Sequence, residues 1–218
     1  MGVEILRILP AALVAAVNVT ALLVLIAVLS WSKRAGTALV AGFFIVFVVF
    51  GLLVLGVGLR IPDEGTSPVS GYIDFGLAAL LYIVGILALL NRPRRAMDAL
   101  TKQRTGISLR SSFALGLGLG ITNPSSLIPY TSALKDLSVR DVGPLGVILG
   151  DVVFLVILMA PMLAPVVLAY SFPSTADKLL APVSAGLVKH GHTIMGATST
   201  GFAVYLTIKA AINVARFF

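Results

Sequence analysis

GLGLGITNPSSLIPY, residues 116–130, is the stretch whose reading decides the fold. It lies inside an apolar run, residues 111–134, long enough to cross a bilayer. At the centre of that run stand Asn123, Pro124, Ser125 and Ser126. Pro124 has no amide hydrogen, so a carbonyl one turn upstream loses its helical partner. In hydrocarbon such a carbonyl costs several kcal/mol, and the break persists only where protein or water satisfies it. The pattern predicts a discontinuous helix at the membrane midplane.

Working outward, five more segments have the same length and character: residues 5–30, 36–59, 71–90, 143–170 and 192–217. Each offers the roughly 20 mostly apolar residues that a spanning helix needs. The chain is 58% hydrophobic and 11% charged, with a mean hydropathy of +1.05. A soluble domain of this size and composition would expose too much apolar surface. The expected architecture is therefore an all-α membrane protein of six transmembrane helices. The first segment lacks a basic stretch ahead of its apolar core and is read as a retained helix, not a cleaved leader. With no cysteine, disulfides, iron–sulfur clusters and thiol chemistry are excluded together.

The net charge of +7 reads as topology and not as a nucleic-acid footprint. Arg92, Arg94, Arg95, Lys102, Arg104 and Arg110 crowd one link, residues 91–110. Lys33 and Arg34, then Lys178 and Lys189, fall in links on the same side of a six-helix chain. The positive-inside rule makes that side cytoplasmic and both termini extracytoplasmic, in a bacterial inner membrane. The opposite side carries Glu4, Asp63, Glu64, Asp136 and Asp141. The link at residues 171–191 has Leu179, Leu180, Val183 and Leu187 at helical spacing beside lysines, the pattern of an interfacial helix. The basic link is expected to touch anionic headgroups.

The two halves, residues 1–90 and 111–218, share a plan around the basic linker. Asn18-Val19-Thr20 and Asn123-Pro124-Ser125 are both Asn-x-hydroxyl triplets at mid-helix. LVAGFFIVFVVFGLLVL, from Leu39, aligns with VILGDVVFLVILMAPML, from Val147, glycine on glycine. With three helices per half, this predicts a 3+3 inverted repeat with its site at the midplane.

A basic link followed by a Gly-rich helix centred on Asn-Pro resembles the LysE superfamily of small exporters. Within it the chain is most similar to the GAP or Sap-like branch, the peptidoglycolipid- or sulfolipid-addressing proteins. The resemblance rests on LGLGLGITNPSSL, residues 115–127, and on residues 16–44. That branch usually has Ser-Pro in the first helix and Asn-Pro-Lys-Asn in the fourth. This chain has Asn18-Val19 and Asn123-Pro124-Ser125-Ser126 instead. The resemblance implies export of a small or amphipathic solute, such as a cell-envelope lipid or glycolipid.

Asn18, Thr20, Asn123, Pro124, Ser125 and Ser126 are thus the candidate substrate site. The plainer reading is a proline kink capped by a serine. Matching polar residues in both halves favour the substrate pathway. Asp151, Lys209 and Asp74 fall at similar depth in the outer third of the bilayer and form a candidate coupling or gate group. Unpaired ions there are costly, so a static Asp151–Lys209 bridge is expected, with Asp151 protonation as the gating alternative. His190 and His192 have no nearby acid pair and make a poor metal site. Gly116, Gly118 and Gly120 follow no strand, so close helix packing explains them better than a phosphate loop. No catalytic set is visible, so no enzyme, metal or cofactor is expected. The expected partners are membrane lipids, a small or lipidic substrate, and a partner membrane protein or a second copy. A non-transporting accessory subunit of an envelope-building complex is the competing role.

Overall fold

The computed structural model describes residues 2–58, 68–90, 108–138 and 143–215. Most of the basic link (Arg92, Arg94, Arg95, Lys102 and Arg104) lies outside them, as do Asp63, Glu64 and Asp141. The described residues form helices and no strands: α1 (Gly2–Ala16), α2 (Val19–Trp31), α3 (Lys33–Gly58), α4 (Pro68–Leu90), α5 (Leu109–Ile121), α6 (Pro124–Ser138), α7 (Gly143–Ser171) and α8 (Pro173–Ala215). Helix wins even in the Val- and Phe-rich α3, a composition that favours strands in soluble proteins. In hydrocarbon only an element that satisfies its own backbone can cross.

Among the described residues, three helices are long and apolar enough to span a membrane: Lys33–Val54, Gly71–Leu90 and Leu145–Ser171. The bent pair Ile8–Ala16 and Val19–Trp31 makes a fourth if it counts as one span. The outer faces of these helices are apolar, with Leu52, Leu53, Ile83 and Val156 all exposed. Side chains of this kind need lipid, not water, around them. The chain is a membrane-embedded protein.

The remaining two expected spans look different. The run at residues 111–134 divides into α5 and α6, of 13 and 15 residues, or about 20 Å each at 1.5 Å per residue. Neither alone crosses a hydrocarbon core of about 30 Å. The expected interfacial helix at residues 171–191 and the sixth helix are one continuous α8 of 43 residues. Pro173 stands at its first position, where a missing amide hydrogen costs nothing. Ending the helix between the two parts would have stranded up to four carbonyls and four amides. Continuation avoids that. Similarly, α7 passes through Pro161 and Pro165 without ending.

Two close helix pairs frame the bundle. Parallel α3 and α5 meet through glycine: a side chain at Gly42 would strike the Phe113 carbonyl, and one at Gly116 the Leu39 carbonyl. Gly120 makes room for Val46 one turn further on. Antiparallel α4 and α8 do the same, with Gly71 against Val214 and Gly85 against Thr200. Between lipid-bathed helices there is little hydrophobic drive to associate, so close backbone approach supplies the attraction. Inside, Phe43, Phe47, Tyr130, Phe154, Leu134 and Leu158 fill the core.

The glycine run therefore has two kinds of member. Gly118 faces open space. Gly116→Ala should lower thermal stability by about 1–3 kcal/mol, the usual cost of overpacking. Gly118→Ala should be neutral or stabilising by up to about 1 kcal/mol, from restricted unfolded-chain freedom. Melting of the two variants in detergent checks this, and equal effects would remove the α3–α5 seam.

Candidate functional site

The first helix breaks because Asn18 competes with the helical backbone. Its main chain leaves helical geometry at φ −107° and ψ 79°, and its side-chain oxygen accepts the Ala21 amide at 3.0 Å. Asn18 is thus the N-cap of α2. The end of α1 tightens, with the Val17 amide reaching Val14 and the Asn18 amide reaching Ala16. In an unbroken helix the Ala15 carbonyl would accept the amide of Val19. Here it accepts the Ser126 hydroxyl, at 2.6 Å.

Ser126 belongs to the second break. There α5 closes with the Thr122 amide and hydroxyl both on the Gly118 carbonyl, at 2.9 and 2.7 Å. Pro124 opens α6 at the position where proline is tolerated. Asn123 joins the two serines: Ser125 donates to Asn123 Oδ1 at 2.6 Å, and Asn123 Nδ2 donates to Ser126 Oγ at 2.9 Å. Ser126 then donates to Ala15. The hydrogen bonds run in one direction, from Ser125 through Asn123 and Ser126 to the carbonyl freed by the other break. One break's hydroxyl satisfies the other break's backbone.

The structure thus brings Asn123, Ser125 and Ser126 against the end of α1, beside the break that Asn18 caps. Ser125 and Ser126 are buried. Thr20 is not part of this set; it lies on the exposed side of α2. Asn18 is buried, and its Nδ2 has no hydrogen-bond partner. A buried donor of that kind costs about 1–3 kcal/mol unless something fills its demand. Among the described residues of the junction, it is the buried side-chain donor without a partner.

The expected Asp151–Lys209 bridge does not form. Asp151 instead accepts the Tyr130 hydroxyl at 2.7 Å, and the same hydroxyl lies 3.1 Å from the Phe47 carbonyl. Tyr130 is fully buried, with the rings of Phe47, Phe50 and Phe154 around it. Gly51 admits the hydroxyl, since a side chain there would collide with it. Tyr130 closes the opening stretch of sequence, yet sequence reasoning passed over it. The available signal was a lone acid, Asp151, within an apolar helix.

Lys209 joins a different group. Its ammonium holds both Asp136 oxygens, at 2.7 and 2.6 Å, and sits 3.3 Å from Asp74. Lys135 completes the set on the other Asp74 oxygen. Two acids and two lysines from α4, α6 and α8 thus form a neutral cluster around the wholly buried Asp74. Asp136, read from sequence as part of an outer link, stands inside α6. Helix α6 continues past the apolar run and carries both Lys135 and Asp136 into the bundle. The shared depth of Asp74 and Lys209 was legible; their partners on α6 were not.

Both arrangements can be tested by stability. Ser126→Ala leaves the Ala15 carbonyl unpaired and should cost about 1–3 kcal/mol. A double-mutant cycle on Asp136→Asn and Lys209→Leu should give a coupling of at least about 0.5 kcal/mol. The cycle joining Asp151→Asn with Lys209→Leu should be additive to within about 0.5 kcal/mol, as for sites sharing no contact.

With this geometry in view, comparison with known proteins is informative. The family model described as Sap, sulfolipid-1-addressing protein, matches residues 8–211, nearly the whole chain. No curated protein and no solved structure matches. The chain belongs to the sulfolipid-1-addressing protein family.

Proposed function

From that membership and the paired helix breaks, we infer that this membrane protein, from a family named for lipid addressing, is itself a lipid exporter. In this reading it belongs to the LysE superfamily and sits in the bacterial inner membrane with both termini outside. It spans six times as a 3+3 inverted repeat and moves a cell-envelope lipid or other amphipathic solute by alternating access. It does so without enzymatic chemistry. What carries the reading is the junction of the two breaks. Each half opens on a helix interrupted at an asparagine and continues with two uninterrupted helices. Transporters built on inverted repeats place their substrate between such broken helices.

The mechanism would use the polar chain as a latch. Ser126 on Ala15 ties the second half's broken helix to the first. Substrate polar groups that engage Asn18 Nδ2 and replace the Ser126 contact would let the two halves separate on one side. The cluster of Asp74, Lys135, Asp136 and Lys209 ties α4, α6 and α8. It would hold these three helices together while the junction opens.

One observation favours the other role, a non-transporting subunit that positions a partner. The Asn123–Ser126 chain ends on backbone and spends its donors within the protein. Asn18→Leu separates the two. It removes the free Nδ2 and also the α2 cap, so Asn18→Ser, which keeps a capping oxygen and loses the amide donors without burying a charge, is measured beside it. For an exporter, Asn18→Ser should lower envelope-lipid export at least tenfold with melting close to wild type. Unchanged export in both variants would leave the structural role.

A further inference from the structure

A groove of about 640 Å³ runs between α2 and the first half of α8, within the size range of ligand sites. It reaches the ends of the neighbouring helices, at Lys33 of α3 and Ala169 of α7. Small side chains hold it open: Ala27, Ser30, Ala181, Ser184 and Ala185 line it. Its length along α8, from Pro173 to Val188, is about 22 Å at 1.5 Å per residue. That exceeds the roughly 15 Å depth of one leaflet's hydrocarbon.

The end of the groove at Lys33 carries the marks of a membrane–water interface. Trp31, Tyr170 and Phe172 are exposed there, the aromatic belt expected at headgroup level. The Lys33 ammonium lies 5.8 Å from the centre of the Tyr170 ring, which steadies it without neutralising it. Arg34, beside Lys33 in sequence, is exposed, as is Lys178 in the first turns of α8. No acidic side chain lines the groove among the described residues. A largely apolar slot with a cation at its interfacial end matches an amphiphile with a negative head.

We propose that this groove binds one acyl chain of an anionic membrane lipid, with Lys33 holding the phosphate or sulfate of the headgroup. The inference rests on the membrane placement and gives the exporter reading a headgroup class and an entry site. It does not require that transport occur. Trp31, the chain's one tryptophan, is next to the groove-lining Ser30 and reports on lipid at the Lys33 end of the groove.

The full-length protein is reconstituted in nanodiscs containing a small fraction of lipid brominated on its acyl chains. Quenching of Trp31 is compared for brominated phosphatidylglycerol and brominated phosphatidylcholine. Wild type should favour the anionic lipid about fivefold, the preference expected of one cation near the surface. Lys33→Gln should bring the ratio close to one, and Lys33→Arg should restore it. Arg34→Gln, which lies outside the lining, should leave most of it. Ala181→Leu, which fills the groove from an exposed position, should reduce quenching by both lipids. A preference that survives Lys33→Gln, or that falls equally with Arg34→Gln, would mean general surface attraction and overturn the site. Unchanged quenching in Ala181→Leu would overturn the groove as the acyl-chain seat. Should Lys33→Gln fail to fold, the Lys33→Arg and Ala181→Leu results decide. An anionic preference without export would sink the exporter reading and leave this site standing.

Discussion

The hydrogen bond from Ser126 to the Ala15 carbonyl is the contact on which the arrangement depends. A chain this apolar has little choice of secondary structure, because hydrocarbon offers nothing to an unpaired peptide group. It can interrupt a helix only where another part of the chain supplies the missing partner. Two interruptions facing each other solve the problem jointly. Asn18 caps α2 with its own side chain, and the second break, through Ser126, attends to the carbonyl the first has released. The first break therefore depends on the second for one of its hydrogen bonds.

Charge is handled by the same economy. Asp74 is wholly buried and alone would be untenable, yet it lies between two lysines, one of which also holds Asp136. Two acids and two lysines arranged this way cancel formally, and Lys209 is hydrogen-bonded to both oxygens of Asp136. Removing any one exposes the others, which is why such clusters are better at fixing the position of helices than at adding stability. Tyr130 performs the neutral version of this task. It ties α6 to α3 through a backbone carbonyl and to α7 through Asp151, inside a shell of phenylalanine rings. Helix α6 thus ties the bundle together through four polar side chains: Ser126, Tyr130, Lys135 and Asp136.

The inner junction and the groove by α8 divide the molecule's polar chemistry by depth. At the junction the polar groups are neutral amides and hydroxyls. At the interfacial end of the groove, Lys33 and its neighbours suit a negative head. Between them runs α2, which carries Asn18 at one end and lines the groove at the other.

From sequence alone the all-helical membrane character, the break at Asn123-Pro124 and the packing role of Gly116 were legible, whereas the helix carrying Asn18 was read as unbroken. Each depends on local chemistry: apolar length, a missing amide hydrogen, a missing side chain. Composition also marked Asp74, Asp151 and Lys209 as groups that must find partners. It did not say which. Partner choice depends on helix rotation as well as depth, and one residue turns a side chain by about 100° around the axis. Depth put Asp151 level with Lys209; rotation turned Asp151 to Tyr130 and Lys209 to Asp74 and Asp136. Thr20 stands apart from the junction for the same reason, falling two residues after Asn18 and on the exposed side of its helix. The fusion of the last link with the last helix was hidden differently, since the leucines and lysines of residues 171–191 carry the pattern of a separate interfacial helix. Contact between Gly191 and Val19 on α2 supports the helix through that point, and only the folded chain brings Val19 there.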